Sequence, residues 1–398
     1  MKTICERNDC FGCSACMNSC PKHCITMQLD KEGFFAPSID EAQCIDCGLC
    51  QRICQSAHEP VFNPASNHAL AVWSRNPHIR RSSSSGGVFK TLAAHVIGLN
   101  GAVNIVQFDK DMYLRHRIVE KLSDLEAVRG SKYVQSSPDA IFSDIRKRLE
   151  DGQVILFTST PCQVAGLLAF LQMDYTNLLT CDFICHGVPS PEEFRKDVEQ
   201  KARGAGCGRP QDCLFRDLEH WGMKMYVEGD RAGASFEQGT DVYFRRFLSG
   251  VNYRESCYHC GFAQTRRVAD ITIGDFWGIG KYSFTSRRFA DGCSLVLVNT
   301  KKGHELMRAC SANIHWERYP LSACQNNTQL FRSSVRPDER NRAFQDTSLV
   351  VEHHKDTIRQ SVVVRGASKA LRILFVYAWR LMWWVNALVF GAKKKAGR

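Results

Sequence analysis

The sequence predicts a multidomain protein of the α+β/α/β type, in which a small cysteine-rich domain precedes a larger α/β domain and a C-terminal amphipathic helix. Two cysteine runs of identical spacing lie within the first 60 residues. Short apolar strand patterns then alternate with helix-periodic segments, which is typical of an α/β domain. The end of the chain is apolar, aromatic and basic. With 398 residues, the chain is long enough for two or three separate hydrophobic cores.

Composition limits the classes of protein to which the chain can belong. It contains 20 cysteines, and no apolar run near Met1 predicts a secretory signal peptide. We therefore expect a cytoplasmic protein, in which cysteines bind metals or clusters more often than they form disulfides. The net charge is +11, but residues 331–398 alone hold 14 Lys or Arg and 5 Asp or Glu. Because the rest of the chain is nearly neutral and has no recognisable basic, aromatic module, we expect no binding to nucleic acid.

The two cysteine runs share the spacing C-x2-C-x2-C-x3-C. This repeat is typical of bacterial two-cluster ferredoxins, in which three thiolates of a run bind one 4Fe-4S cluster and the fourth binds the other cluster. One cluster is then assigned to Cys10, Cys13, Cys16 and Cys54. The second cluster is assigned to Cys44, Cys47, Cys50 and Cys20. We therefore predict a two-cluster ferredoxin domain at residues 1–59; zinc is the alternative, but zinc sites usually pair simple C-x2-C knuckles.

Three residues depart from this pattern or lie outside it. Gln55 follows Cys54 where the ferredoxin motif has proline, and we expect this change to loosen the chain locally without affecting ligation. Cys5 and Cys24 lie outside both runs. We interpret them as buried thiols that are not ligands.

A polar linker with two prolines is predicted at residues 60–68, followed by an α/β domain at 70–330. Strand patterns occur at 101–108, 154–158, 178–184, 269–274 and 294–299, and helical patterns occur at 88–97 and 162–171. In α/β folds, ligands bind where strands end and helices begin. The segment SSSSGG at 82–87 precedes a helix, and it is interpreted either as a phosphate-binding loop or as a flexible linker.

Four further cysteines occupy similar places. Cys162 begins a predicted helix directly after a strand, and Cys185 lies at the end of another strand. Cys257 and Cys260 form an isolated C-x2-C pair, which by itself is compatible with half of a zinc site.

Six motifs in this region occur in an order that resembles a known family. They are SGG at 85–87, GSKYVQ at 130–135, TPCQVAG at 160–166, CHGVP at 185–189, SCYHC at 256–260 and ADITIGDFW at 269–277. Over roughly residues 70–305, the sequence resembles the coenzyme F-420 hydrogenase/dehydrogenase beta-subunit family. A fused N-terminal ferredoxin domain is similar to an arrangement that is common in that family.

The resemblance implies a domain that binds FAD and a third 4Fe-4S cluster. The implied cluster ligands are Cys162, Cys185, Cys257 and Cys260, with zinc as the alternative metal. For FAD, the candidates for binding the pyrophosphate are Ser85, Gly86 and Gly87, and Lys132 is a second candidate for a phosphate contact. Asp275, at a strand end, is interpreted either as facing the cofactor or as capping a turn. His186 is interpreted as structural rather than as a proton donor.

The predicted function is that of an iron–sulfur flavoprotein oxidoreductase, in which single electrons pass between ferredoxin-type clusters and FAD. Its expected partners are an external electron donor or acceptor such as ferredoxin, and an organic substrate or coenzyme F-420. Two alternatives remain open: an electron-transfer subunit with no substrate of its own that feeds a partner enzyme, and an enzyme that acts on a glycan or lipid intermediate at a membrane.

The segment 331–398 is predicted to be a basic linker and an amphipathic helix. The charge-free stretch at 381–392 has 12 residues, fewer than the roughly 20 that span a bilayer. On a helix, Lys369, Arg372, Arg380 and Asn386 share one narrow arc, and three tryptophans suit the headgroup layer. We therefore predict an interfacial helix on the cytoplasmic face of a membrane. The alternative is a helix that packs against protein.

We expect the chain truncated after Gly366 to stay in the soluble fraction, whereas the full chain sediments with membranes and is released by high salt or alkali. The reason is that Lys393, Lys394 and Lys395 each add about 1 kcal/mol of attraction to an anionic leaflet. Cell fractionation of both chains tests this. Equal solubility of the two would mean that the helix packs against protein.

Overall fold

The computed structural model describes residues 3–127, 130–216, 223–282, 289 and 291–345. The predicted C-terminal amphipathic helix lies outside the described residues. Within the described part of the chain, no helix is long and apolar enough to cross a membrane.

The strands and helices follow one another in mixed order. The strands are β1 (Ile25–Leu29), β2 (Phe35–Ile39), β3 (His68–Ser74), β4 (Ala102–Phe108), β5 (Leu114–Val119), β6 (Ser136–Ser137), β7 (Ile155–Ser159), β8 (Leu178–Phe183), β9 (Pro210–Arg216), β10 (Met223–Gly229), β11 (Gly233–Glu237), β12 (Ile271–Asp275), β13 (Ser294–Val298) and β14 (Ile314–Pro320). The helices are α1 (Ala15–Asn18), α2 (Leu49–Arg52), α3 (Pro77–Arg81), α4 (Val88–Gly98), α5 (Leu122–Ala127), α6 (Ile141–Glu150), α7 (Pro161–Leu171), α8 (Pro191–Gly204), α9 (Val242–Ser249), α10 (Lys301–Ala309) and α11 (Arg340–Gln345).

The N-terminal domain repeats its backbone as well as its cysteines. The helices α1 and α2 each begin inside a cysteine run, directly after a residue in the left-handed region, Ser14 with φ 62° and Gly48 with φ 70°. Two residues earlier, Gly12 and Asp46 also have positive φ. Alternating left-handed residues curl a loop so that its N–H groups point inward, which suits an anionic ligand. The antiparallel hairpin β1–β2 completes this ferredoxin-like domain.

A nine-stranded mixed sheet forms the centre of the larger domain, in the order β14-β3-β13-β12-β8-β7-β4-β5-β6. Strands β4, β7, β8 and β12 run parallel, which agrees with the alternating strand and helix patterns of the sequence. Strands β3, β13 and β14 add antiparallel pairs at one side. The mixed α/β prediction is therefore confirmed, although no strand was predicted for β3 or β14.

Helices cover both faces of this sheet. Apolar residues of α4 and α10 pack against one face, and those of α6 and α7 pack against the other. A second, three-stranded sheet, β9 to β11, forms a separate core with α8 and α9. The helix α7 begins with Pro161, where proline costs no hydrogen bond. Its second residue, Cys162, is thereby placed just beyond the end of β7.

The two domains are joined by buried polar contacts. The Gln135 side chain accepts a hydrogen bond from the Phe35 N–H at 2.9 Å, and the Ser190 hydroxyl donates to the Gly33 carbonyl at 3.0 Å. Arg340, which is 2 % exposed, donates to both carboxylate oxygens of Glu32. The chain from 331 to 345, predicted to be a linker, therefore includes a residue that is buried against the ferredoxin-like domain.

The predicted phosphate-loop glycines also have structural roles. Gly87 precedes α4 with φ 81°, which favours glycine. A Cβ at Gly86 would lie 2.2 Å from the Val72 carbonyl oxygen on β3 and 2.8 Å from the Ser294 nitrogen on β13. Any side chain at Gly86 would therefore push two backbones of the central sheet apart.

We expect Gly86→Ala to lower the free energy of unfolding by at least about 1–3 kcal/mol, because the added methyl group overlaps backbone atoms that cannot rotate away. Gly98→Ala is the matched control, since no atom lies within 4 Å of a Cβ at that helical position. The control should gain up to about 1 kcal/mol from helix propensity. Anaerobic urea denaturation at equal iron content measures both, and equal midpoints for the two variants would disprove the steric role.

Candidate iron–sulfur centres and redox site

Cysteines of both runs come together at the first candidate centre. Cys10, Cys13, Cys16 and Cys54 line one cavity. The first three come from the first run, and Cys54 is the last cysteine of the second run. The Gly12 N–H donates to the Cys10 sulfur at 3.4 Å, a contact that stabilises a thiolate. The donor set and the cavity therefore fit a 4Fe-4S cluster.

The second centre lies nearer the surface. Cys20, Cys44 and Cys50 belong to an apolar cluster with Ile4 and Ile25. Cys47 is exposed. Of the two centres, this one is therefore the more accessible from solvent.

The two cysteines interpreted as spare thiols lie beside these centres. Cys5 lines the cavity of the first centre. The Cys24 sulfur lies 3.4 Å from the sulfur of Cys20. Because Cys5 and Cys24 lie outside the C-x2-C spacing, the sequence did not predict that they lie beside the centres. Their proximity depends on how the loops fold.

The other four cysteines that were predicted as cluster ligands also converge. Cys162, Cys185, Cys257 and Cys260 line one cavity, although they lie on α7, on the loop after β8 and around a short 3-10 helix. Burial raises the pKa of the Cys185 thiol to about 11 and the pKa of Cys162 well above its usual value. Binding of iron by these thiols would therefore release protons.

These four thiols fit a 4Fe-4S cube in their number, their type and their arrangement around one cavity. Four soft sulfur donors around one cavity are the ligand set of a 4Fe-4S cluster. In the described ranges, no three His, Cys, Asp or Glu side chains are grouped as ligands of one metal ion. Each thiolate of a cube binds a different iron, so cube ligands need not surround a single ion.

The cavity of the first centre adjoins the cavity lined by the four thiols just described, here called the third cavity, at α7. Phe11 lines both of them. The Gln55 amide donates to the Cys162 carbonyl at 3.0 Å. A Cβ at Gly166 would lie 2.9 Å from the Cβ of Cys13, so only glycine admits this approach. Gln55, expected to loosen the chain, instead makes a contact between domains that proline could not make.

Two glutamines that belong to the family-like motifs make structural rather than catalytic contacts. Gln163 is 3 % exposed, and its amide donates to the Ser136 carbonyl at 2.9 Å. Gln135 contacts the ferredoxin-like hairpin.

His186 lines the third cavity, and its Nδ1 lies 2.5 Å from the Tyr253 hydroxyl. Burial lowers the pKa of His186, so the ring is neutral near pH 7.

The predicted FAD contacts lie on loops that touch one another. The Ser84 hydroxyl accepts a hydrogen bond from the Ser131 N–H at 2.6 Å, which joins the loop of Ser85, Gly86 and Gly87 to the loop of Lys132. The Ser85 hydroxyl donates to the Cys293 carbonyl at 3.0 Å. These loops are therefore brought together, as a shared ligand site requires.

The two charged candidates already have partners within the protein. The Lys132 ammonium donates to the Cys213 carbonyl at 2.8 Å and lies 3.3 Å from an Asp212 oxygen. Asp275 forms a buried ion pair with Arg216. Arg216, which sequence reasoning missed, also donates to the Tyr133 hydroxyl at 2.9 Å.

Comparison with known proteins agrees with these motifs. Residues 152–322 match the family model that describes the C terminus of the beta subunit of coenzyme F420 hydrogenase/dehydrogenase. Residues 9–57 match the model of a 4Fe-4S dicluster domain. A search of curated proteins gives no match.

One solved structure that matches is a chain of the F420-reducing NiFe hydrogenase complex from Methanosarcina barkeri, studied by xenon derivatization. The sequence identity is 16% and the TM-score is 0.44. The match covers 75% of this chain and 91% of that chain. From the two family models, the chain is one in which a 4Fe-4S dicluster domain precedes a domain of the coenzyme F420 hydrogenase/dehydrogenase beta-subunit family.

Proposed function

We propose that the protein is an iron–sulfur flavin oxidoreductase that carries single electrons through three 4Fe-4S clusters to or from FAD. The observation that carries the proposal is the convergence of Cys162, Cys185, Cys257 and Cys260 on one cavity beside the first centre. A third cluster at that place would continue the path of the ferredoxin-like domain into the α/β domain.

The order in which electrons would pass through the centres follows from the exposure of the second centre and from the contact between the other two. Cys47 of the second centre is exposed, so an external one-electron carrier such as ferredoxin would meet the protein there. The first centre lies between the second centre and α7, and it shares Phe11 with the third cavity. Electrons would therefore pass through the second centre, the first centre and the third centre in turn, in either direction.

A chain of aromatic side chains leads from the third cavity to the loops predicted to bind FAD. The rings of His186 and Phe247 are 5.6 Å apart, and those of Phe247 and Tyr133 are 4.8 Å apart. Tyr133 adjoins Lys132 and accepts a hydrogen bond from Arg216. This supports a flavin near the ends of β9 and β12. When bound there, FAD would exchange single electrons with the cluster and two electrons with an organic substrate or coenzyme F-420.

A second function is favoured by the family model, whose description is of a subunit. In that case the chain would pass electrons to a partner enzyme and bind no substrate of its own. Mixing the purified chain with a chemical reductant and coenzyme F-420 separates the two functions. Bleaching of the coenzyme by the chain alone favours the enzyme, whereas bleaching only after a partner is added favours the electron-transfer role.

The protein prepared without oxygen should contain about twelve irons per chain, four in each cube. Cys162→Ala should hold about eight, because its ligand set shares no cysteine with the other two centres. Cys181→Ala is the control: Cys181 is a buried cysteine on β8 outside the ligand sets, and we expect this variant to keep about twelve. Iron and zinc analysis together test the proposal. Full iron in Cys162→Ala, or zinc in place of iron, would disprove the third cluster.

Denatured protein should release FAD, and Ser85→Asp should release none because its carboxylate would repel the pyrophosphate at the start of α4. Ser85→Ala, which keeps the loop uncharged, should still release FAD. A substitution at Ser85 is preferable to one at Gly86, where any side chain disturbs the sheet. Fluorescence of the released flavin at equal iron content is the measurement. Absence of flavin from the unmodified chain, even after reconstitution, would refute FAD binding.

A further inference from the structure

Arg254 lies between the first and third centres and is 3 % exposed. Its Nε donates to the carbonyl of Cys10, a ligand of the first centre. A second nitrogen donates to the Phe35 carbonyl at 2.8 Å. The same side chain lines the cavity of Cys162 and Cys257. The guanidinium therefore adjoins both centres at once.

The other deeply buried arginines are paired with carboxylates. Arg216 pairs with Asp275, Arg267 with Asp182 at 3.2 Å and Arg340 with Glu32 at 3.0 Å. Among the residues that the structure describes, no carboxylate lies within 4 Å of the Arg254 guanidinium, whose hydrogen bonds go to backbone carbonyls. A buried cation without a counter-ion is strongly disfavoured. The negative charge beside it would come from the thiolates of the two centres and from the clusters that they bind.

We propose that Arg254 is the shared counter-ion of the first and third 4Fe-4S clusters and sets the reduction potentials of both. This rests on the proposed function, since it requires a cluster in the third cavity. A cube with four thiolates is anionic, and reduction makes it more so. A fixed cation nearby stabilises the reduced form and raises the potential.

The sharing has a consequence for electron transfer. Because one charge acts on both clusters, it raises both reduction potentials and changes the difference between them little. The Ser256 hydroxyl also donates to the Cys10 carbonyl, at 3.0 Å, so the loop of Cys257 is held against the first centre by two adjacent side chains. The described contacts of Arg254 include none with the cysteines of the second centre, whose Cys47 is exposed, so that centre serves as an internal reference.

The test is an anaerobic redox titration of the full chain, followed by electron paramagnetic resonance. Arg254→Gln removes the charge but keeps an amide donor, and Arg254→Lys keeps the charge. Arg266→Gln is the matched control, because that side chain is 52 % exposed and its charge is screened. We expect Arg254→Gln to favour the oxidised form of two clusters at least tenfold, about 59 mV for one electron. Arg254→Lys should recover at least half of that shift, and the control should show none.

The reduction potentials and the cluster content of the Arg254 variants together test the shared role. Unchanged potentials in a fully loaded Arg254→Gln protein, or a shift confined to one cluster, would overturn the shared role. If Arg254→Gln loses a cluster and Arg254→Lys retains it, the charge is what the cluster needs, which supports the proposal. Loss in both variants would show that shape rather than charge matters. A protein with only two clusters would refute the proposed function, whereas the effect of Arg254 on the first centre would still be measured.

Discussion

The contact between the first centre and helix α7 is the constraint on which the proposed electron path depends. Cys13 approaches Gly166 so closely that no side chain fits between them. One turn earlier on the helix, the Cys162 carbonyl accepts the hydrogen bond of Gln55, the residue after Cys54. Cys162 of the third cavity is therefore held at a fixed distance from Cys13 and Cys54 of the first centre. Both contacts are short and buried or half-buried, so they tolerate little movement between the domains.

Buried ion pairs also lie near the contact between the two domains. Arg340 and Glu32 hold the chain near residue 340 against the hairpin of the ferredoxin-like domain. Arg267 and Asp182 form a fully buried pair at the base of the loop that carries Cys260. Such pairs gain little net energy over apolar contacts, but removing one partner leaves an uncompensated charge. They therefore specify how these segments pack, whereas Arg254 has no carboxylate partner among the described residues.

Much of the ferredoxin-like domain could be predicted from sequence because its information is local. Each run places three thiolates within seven residues, and the repeat assigns the fourth to the other run. The third ligand set is different. Cys162 and Cys185 follow the adjacent parallel strands β7 and β8, so the order of strands brings them to one edge of the sheet. That order is not readable from spacing, and only the family resemblance indicated the set.

The roles of Gln55 and Arg254 could not be predicted for the same reason. Each acts through a partner more than 100 residues away, and nothing in the neighbouring sequence marks the pair. Strands β3 and β14 were missed because β3 begins at His68, the last residue of the predicted linker, and β14 is largely exposed. Lys132 was predicted as a phosphate contact, and Asp275 as a residue at a strand end that faces the cofactor or caps a turn. Their partners on β9, Asp212 and Arg216, come from a sheet that no sequence pattern indicated.

The segment predicted as a linker also bears on how electrons cross between the domains. Asn63, within it, donates backbone and side-chain hydrogen bonds to the Arg267 carbonyl at 2.8 and 3.0 Å. Phe62 packs beside Phe262, with ring centres 6.0 Å apart. The tether is therefore attached to the α/β domain next to the loop of Cys260. A flexible tether would allow the ferredoxin-like domain to shuttle between partners, whereas an attached one holds the first and third centres at a fixed separation. In the proposed path, electron transfer across this joint would need no domain movement, and the exposed second centre would meet the external carrier.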